Sequence, residues 1–180
     1  MPKVLPIITN PNPILRKKSV EVKAAELKQK KLQQLIFDME KTMLDKDGAG
    51  LAAPQVGHNI RLLVMRHGDE AYIMINPKIT KKSWAKEVDE EGCLSVLDDK
   101  GQILYAPVSR HKKINCLYMD AAGKKQKIIA EDLLARIIQH ETDHLNGILF
   151  IDHLSDKSLL RPLTEDEKDE RRLKIKKETD

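Results

Sequence analysis

Two histidines and a glutamate in the C-terminal half of the chain have the types and spacing of a metal-hydrolase site: His140, Glu141 and His144. On a helix, residues four apart share one face with Cβ atoms about 5–6 Å apart, so both imidazoles can aim at one ion. Glu141 is one position past His140, and from there it can reach a water on the metal instead of the metal itself. His-Glu-x-x-His hydrolases divide the work in this way, between two ligands and one general base.

The neighbouring residues predict the helix that must position these side chains. An apolar stripe with helical spacing precedes the histidines, formed by Leu133, Leu134, Ile137 and Ile138. Asn146 and Gly147 follow as a C-cap signature. Because the histidines come directly after the stripe, a solvated polar helix face is the less favoured interpretation.

A catalytic zinc-like site needs about three protein ligands and an open position, so a third ligand must come from elsewhere. One large protease group continues the motif with His-x-x-Gly-x-x-His, but the last position here is Phe150. Another group uses a later glutamate, and the glutamates within 164–180 lie in a highly polar tail. His153 has no motif behind it. Upstream, Cys93 is the candidate with an unusual local sequence.

Two upstream segments have ordinary interpretations when each is taken alone. Cys93 follows acidic residues that disfavour a free thiolate, so it is either a small buried hydrophobe or a thiol deprotonated by a metal. The small-residue run 48–57 lacks the pattern of a phosphate loop and is typical of a Gly/Ala loop. Gln55 is the single polar side chain between Leu51 and Val56.

Composition narrows the class of protein. A chain of 180 residues with 41% hydrophobic residues predicts one domain with a real core. Mixed charges with a net of +4 and only 3% aromatic residues argue against a nucleic-acid platform, and we expect no DNA partner. The two cysteines, together with the lack of a signal peptide or a spanning segment, predict a soluble cytoplasmic protein without a membrane partner.

Hydrophobic periodicity predicts a helix, then short strands, then a helix. The expected elements are an amphipathic helix at 22–45, hairpins pairing 60–66 with 72–75 and 113–119 with 124–130, and a strand region at 78–90 with Trp84 as a packing residue. This order predicts an α+β fold with mainly antiparallel β-sheets around the central His-Glu-x-x-His helix, an N-terminal amphipathic helix and a C-terminal helix. We predict a catalytic domain at 1–163 and a charged helical tail at 164–180.

Three segments together resemble the signature motifs of peptide deformylases. They are Gly-Ala-Gly-Leu-Ala-Ala-Pro-Gln at 48–55, Glu-Gly-Cys-Leu-Ser at 91–95 and Gln-His-Glu-Thr-Asp-His-Leu at 139–145. Their order and separations are similar to the family's, and the resemblance covers roughly residues 5–155. It replaces the ordinary interpretations of the glycine run and the cysteine. It implies an enzyme that removes the formyl group from N-terminal formyl-methionine of new polypeptides and releases formate.

The resemblance also implies a metal site and its catalytic groups. The implied ligands of one divalent ion, with water in the fourth position, are Cys93, His140 and His144. Glu141 then acts as general base and later as acid. The Gln55 side-chain amide, the Leu94 backbone N–H and the metal stabilise the oxyanion. Fe(II) is expected in cells, while isolated protein could carry zinc, nickel or cobalt.

The substrate pocket is predicted from the same helix face. Leu133 and Ile137 precede His140 by seven and three positions, so we expect them in the wall of a methionine slot, with Ala49 nearby. By resemblance, the Gly50 backbone would hydrogen-bond the extended substrate.

Three further expectations concern the surroundings of the site. We expect Glu91 to pair with Arg110 and support the Cys93 loop. A polar insertion within 97–105 departs from the family pattern and is predicted near the rim of the substrate groove. The basic residues of the tail, 164–180, resemble those of family members that dock on the ribosome near the exit tunnel, and a solvated tail is the alternative.

Two other functions compete with deformylation. A metallopeptidase would cleave internal peptide bonds. A structural metal module would have a closed site with a fourth protein ligand, for which Asp152 or His153 are the candidates.

Overall fold

The computed structural model describes residues 1–67 and 70–179 and contains three α-helices within them. The helices are α1 (Lys30–Asp45), α2 (Asp132–Leu145) and α3 (Glu165–Thr179). The strands are β1 (Gly50–Ala52), β2 (Leu62–His67), β3 (Glu70–Lys82), β4 (Lys86–Leu97), β5 (Ile103–His111), β6 (Lys113–Met119), β7 (Lys125–Glu131) and β8 (Arg161–Pro162). Helices do not alternate with strands, so the predicted α+β class is confirmed.

These strands form two sheets in which all neighbours are antiparallel. One sheet has the order β1-β2-β3-β6-β7, and the other has the order β4-β5-β8. Both predicted hairpins are present: Val64 pairs with Ile73 in the first, and Cys116 pairs with Ile128 in the second. The hairpins could be predicted because a strand pair joined by a short turn depends on local sequence.

The prediction of a helix from residue 22 is wrong at its start, because α1 begins at Lys30. Asn76 accepts a hydrogen bond from the Val22 N–H and donates one to the Val22 carbonyl, each at 2.9 Å. Both backbone groups of Val22 are therefore used by a distant side chain and cannot join a helix ladder. From Lys30 onward, the expected stripe is buried: Leu32, Leu35, Ile36, Met39 and Met43.

The prediction that Trp84 packs inside a strand is also wrong. Its side chain is fully exposed, with a relative accessibility of 101%, and it lies in the turn between β3 and β4. Ser83 fixes this turn, since its hydroxyl donates to the Ala85 carbonyl at 2.8 Å and accepts the Lys113 N–H at 3.1 Å. The tight turn leaves the intervening indole pointing away from the sheet.

Helix α2 packs against strands of both sheets and buries Ala135, Ile138 and Leu145 completely. Its end follows the predicted C-cap signature. Asn146 is the cap residue, and Gly147 has a φ of 75°, a left-handed conformation that glycine adopts at low cost. An added Cβ at Gly147 would lie 2.6 Å from the Arg16 carbonyl oxygen, so the close approach of the N-terminal segment also requires glycine there.

At the start of α3, Thr164 and Glu167 form a reciprocal capping box. The Thr164 N–H donates to Glu167 Oε2 at 2.8 Å, and the Glu167 N–H donates to the Thr164 hydroxyl at 3.3 Å. Among the helices within 1–67 and 70–179, none combines the length and the apolar character that crossing a membrane requires.

Candidate active site

Three potential metal ligands meet between α2 and β4. The Cys93 thiol and one ring nitrogen each from His140 and His144 all lie within 4.8 Å of one another. Strand β4 supplies the cysteine, and successive turns of α2 supply the histidines. Cys93 and His144 are only 4% and 1% exposed, which places the cluster inside the protein.

The hydrogen bonds of His140 select which nitrogen is available to a metal. Its Nδ1 lies 2.9 Å from Glu91 Oε2, and a carboxylate accepts the proton of that nitrogen. Nε2 is then left as the ligand, the arrangement in which a carboxylate orients a metal-binding imidazole. Burial lowers the pKa of His140, but hydrogen bonds with Cys93 and Glu91 outweigh burial and raise the pKa well above its ordinary value.

His144 has the properties of a neutral imidazole ligand. Its Nε2 lies 3.3 Å from the Cys93 sulfur, and its buried Nδ1 has no hydrogen-bond partner among the described residues. Burial, followed by the neighbouring charge of His140, lowers the pKa of His144 well below its ordinary value. One thiolate and two imidazoles, with one carboxylate behind them, fit a divalent ion such as Fe(II), Zn, Co or Ni. The residues present therefore fit the implied metal.

Glu91 is the centre of a buried charge network behind His140. The predicted pair with Arg110 is present and bidentate, with Nε to Oε1 at 2.9 Å and Nη2 to Oε2 at 3.0 Å. Arg110 also contacts Asp143 at 2.5 Å, and Asp143 in turn contacts His153. Burial raises the pKa of Glu91, but the hydrogen bonds from His140 and Arg110 outweigh it and hold that pKa well below its ordinary value.

Sequence reasoning missed a second arginine in this network. Arg136 is only 5% exposed, and its Nη1 donates to Glu91 Oε1 at 2.8 Å. It also donates to the carbonyls of Val108 and Glu87 at 2.9 and 2.8 Å. The sequence carries one signal for this role: Arg136 is a charged residue inside the apolar stretch of α2, one helical turn before His140.

Glu141 has the environment of a general base that changes protonation near neutral pH. The side chain is buried, its Oε2 has no partner among the described residues, and burial raises its pKa to about 7. Gly50 lies so close that an added Cβ would be 2.7 Å from Glu141 Oε1. A larger residue at position 50 would force the Glu141 carboxylate to move, so glycine leaves room for the position that it has here.

The amide of Gln55 is oriented by its own loop. The Ala52 N–H donates to Gln55 Oε1 at 2.8 Å, which fixes which end of the amide faces the cluster. Its Nε2 points toward the Cys93 sulfur at 3.5 Å and the Ser95 hydroxyl at 3.2 Å. A hydrogen-bond donor is thus held beside the metal ligands.

A cleft of about 460 Å³ opens over these groups. The remaining predicted site residues all line it: Ala49, Gly50, Leu94, Leu133 and Ile137. Gly101, Gln102 and Ile103 line it as well, which agrees with the predicted position of the 97–105 insertion at the rim. The cleft also has side chains from α3 in its wall, which the sequence did not indicate.

Asp152 and His153, the downstream candidates for an additional metal ligand, bind other partners. His153 Nε2 contacts Asp143 at 2.7 Å, and the Asp152 carboxylate accepts the Leu149 N–H at 2.8 Å and pairs with Arg16. Among the side chains that the structure describes, in residues 1–66 and 71–175, the one group of three or more possible metal ligands is the Cys-His-His cluster. Phe150, which ended the protease motif, stacks beside the His140 ring with centroids 6.2 Å apart.

Comparison with known proteins gives a consistent result for the whole catalytic region. A family model described as polypeptide deformylase matches residues 4–159. A peptide deformylase of Desulfotalea psychrophila is 45% identical over 158 residues, which cover 84% of this chain and 88% of that protein. Peptide deformylase 1 of Clostridium acetobutylicum is 46% identical over 143 residues, which cover 79% of this chain and 89% of that protein.

Solved structures agree with the sequence comparisons. The class I type b peptide deformylase of Acinetobacter baumannii bound to Met-Ala-Ser has a TM-score of 0.79 at 35% identity, over 86% of this chain and 100% of that chain. The peptide deformylase of Synechococcus elongatus in complex with actinonin has a TM-score of 0.78 at 38% identity, over 86% and 80% of the two chains. On this evidence the chain belongs to the polypeptide deformylase family, whose members are metal-dependent enzymes that remove the formyl group from peptides.

Proposed function

We propose that this chain removes the N-formyl group from the N-terminal formyl-methionine of newly synthesised polypeptides, with Cys93, His140 and His144 as the ligands of one divalent metal. The observation that carries the proposal is the thiol and two imidazoles within 4.8 Å, next to a buried glutamate. When bound there, the metal supplies Lewis-acid chemistry and lowers the pKa of water from about 15.7 toward about 7. We propose Fe(II) as the metal in cells, and zinc, nickel or cobalt as substitutes in isolated protein.

Glu141 moves the proton in the proposed reaction. Its carboxylate takes a proton from the attacking water as the oxygen bonds to the formyl carbon. The carbon–nitrogen bond then breaks, and the same carboxyl returns that proton to the departing amine. The second proton of the water leaves with formic acid, which ionises to formate in solution. The Glu141 pKa of about 7, raised by burial, suits a group that must both accept and donate near neutral pH.

Gln55 and Leu94 stabilise the charge that develops on the formyl oxygen. Gln55 Nε2 is aimed toward Cys93 by the bond between Gln55 Oε1 and the Ala52 N–H. The Leu94 backbone N–H directly follows Cys93 and is the second donor. Fixed donors of this kind act most strongly in a site that excludes water.

The methionine side chain occupies the apolar part of the cleft. Leu133 and Ile137 line the cleft from α2, on the same helix face as His140, and Ala49 lines it from the segment before β1. The backbone of Gly50 pairs with the extended substrate. Glu91 and Arg110 keep the His140 ring in its ligating orientation through the bidentate pair and the bond to Nδ1.

The decisive experiment is formate release from formyl-Met-Ala-Ser under anaerobic conditions with Fe(II). We expect rapid release by the wild type and a loss of at least about 10²-fold in Glu141→Ala, because general base catalysis contributes about 10²–10⁴-fold. Casein is the control substrate for a metallopeptidase, and we expect it to stay intact. Full activity in Glu141→Ala would contradict the mechanism.

Three further predictions concern the setting of the enzyme. We propose a cytoplasmic location without a DNA or membrane partner. The division into a catalytic domain at 1–163 and a tail at 164–180 remains a prediction. We also predict that the tail docks near the ribosomal exit tunnel. Ribosome affinity that stayed unchanged after deletion of residues 165–180 would contradict this docking.

A further inference from the structure

One face of α3 forms part of the cleft wall. The α3 residues that line the cleft are Lys168, Arg171, Arg172 and Ile175. Their positions follow i, i+3, i+4 and i+7, the spacing of a single helix face. Three of the four are cations, so the helix presents a basic stripe to the cleft.

The stripe is tied to the strand that supplies the metal-binding cysteine. Arg171 Nη1 donates to the Glu90 carbonyl at 2.9 Å, and its guanidinium lies 5.4 Å from the centroid of the Tyr105 ring. That ring covers Gly92, where an added Cβ would lie only 2.1 Å from a ring atom. Ile175 is only 8% exposed. These contacts hold α3 against the site although the helix has few apolar residues.

The other two cations are in exposed ion pairs that a ligand can replace. Lys168 pairs with Glu165 at 2.6 Å, and the Glu165 side chain is 81% exposed. Arg172 pairs with Asp47 at 2.7 Å and with Asp169 at 3.0 Å, all three being solvent-accessible. Exposed ion pairs contribute little stability, so a carboxylate of the substrate can exchange with these partners at low cost.

Positive charge predominates where the cleft opens. Lys46 joins the three cations of α3 in the lining, and Asp47 is the one carboxylate that lines this outer part among the described residues. The other two lining carboxylates, Glu91 and Glu141, are buried at the floor beside the metal ligands. A formylated terminus must reach this floor, so the residues after methionine lie toward the basic opening.

We propose that the basic stripe of α3 makes Lys168 and Arg172 specificity-determining residues that favour substrates with acidic side chains at the third and fourth positions of the formyl peptide. Arg171 anchors the helix, while Lys168 and Arg172 meet the substrate carboxylates. This inference rests on the proposed deformylase function and adds a preference beyond methionine.

The test compares three peptides of the form formyl-Met-Ala-X-X-amide, with X as Glu, Gln or Lys. The amide removes the terminal carboxylate, so only the side chains differ in charge. At low salt we expect kcat/KM to fall in the order Glu, Gln, Lys, with roughly two- to fivefold for each ion pair and about tenfold between the extremes. At about 0.5 M salt the difference should nearly vanish, because exposed charges are screened.

Two variants test whether the basic stripe causes the preference for acidic peptides. The double variant Lys168→Gln/Arg172→Gln should lose most of the difference between the Glu and Lys peptides. Lys174→Gln is the matched control, since Lys174 pairs with Asp89 at 2.7 Å from the same helix but does not line the cleft. This control should keep both the activity and the preference. Melting temperatures verify that all variants are folded.

Each contrary result has a distinct meaning. Equal kcat/KM for the three peptides in active wild-type enzyme would overturn the inference and leave the deformylase function intact. A preference that survives in the double variant, or disappears equally in Lys174→Gln, would overturn the assignment to Lys168 and Arg172. If none of the peptides released formate, the proposed function would fail and this inference with it.

Discussion

Arg136 donates a hydrogen bond from Nη1 to Glu91 Oε1 at 2.8 Å, and this buried ion pair joins α2 to β4 directly behind His140. The same guanidinium bonds the carbonyls of Val108 on β5 and Glu87 on β4. A single side chain therefore satisfies the carboxylate that orients a metal ligand and fixes the helix against the smaller sheet. We therefore expect Arg136 to contribute both to the stability of the fold and to the orientation of His140.

Replacing Arg136 with methionine should destabilise the protein strongly. Removing one partner of a buried ion pair typically costs about 3–5 kcal/mol, and we expect the lower end because Arg110 still pairs with Glu91. Urea unfolding of the metal-loaded protein measures the change. Lys113→Met is the control, since its exposed pair with Glu131 should be worth less than about 1 kcal/mol. A loss of under about 1 kcal/mol in Arg136→Met would show that the pair is dispensable.

Adding one methyl group at Gly50 should impair catalysis more than folding. The new Cβ would lie 2.7 Å from Glu141 Oε1, so the carboxylate must move. A displacement of about 1 Å in a catalytic group costs about 10²-fold, and we expect kcat/KM to fall by about that factor in Gly50→Ala. Gly101→Ala is the control in the same cleft lining, because no atom lies within 4 Å of its added Cβ and its φ of 77° makes alanine costly for stability, not for the position of Glu141. Similar activity in both variants would contradict a positional role for Glu141.

The parts of the structure that could be predicted from sequence are those determined by nearby residues. The end of α2 at Asn146 and Gly147 follows from local capping, and the hairpin between β6 and β7 follows from a short turn. The His140–His144 spacing likewise depends only on helix geometry. Cys93 could be predicted as the third metal ligand because three separate motifs, one of which contains it, resemble those of one family.

The parts that could not be predicted depend on residues far apart in the chain. Helix α1 starts late because Asn76 binds the backbone of Val22, 54 positions away. Arg136 reaches Glu91 only because α2 lies against β4. The position of α3 in the cleft wall leaves no apolar pattern in the sequence, because that helix is held by contacts of Arg171 with the Glu90 carbonyl and the Tyr105 ring, together with the buried side chain of Ile175.

Removing the amide donor of Gln55 should lower kcat with a smaller effect on KM. Gln55→Glu keeps the oxygen that accepts the Ala52 N–H but lacks the Nε2 donor. Loss of one oxyanion donor typically costs about 10²–10³ in kcat, and we expect a fall in that range. Gln102→Glu places the same change elsewhere in the cleft lining and should cost far less. If Gln55→Glu kept kcat within about tenfold of the wild type, the oxyanion role would be wrong.

The two cysteines should differ sharply in reactivity once the metal is removed. Both are buried, but Cys93 lines the cleft, whereas Cys116 is completely buried in the core and burial raises its pKa to about 11. Iodoacetamide at pH 8 should modify neither thiol in the metal-loaded protein, because the metal covers Cys93 and Cys116 has little thiolate. After chelation we expect modification of Cys93 alone, measured by mass spectrometry of the peptides, and added zinc should restore its protection. Urea-unfolded protein, in which both thiols react, is the control, and modification of Cys93 at equal rates with and without metal would exclude it as a ligand.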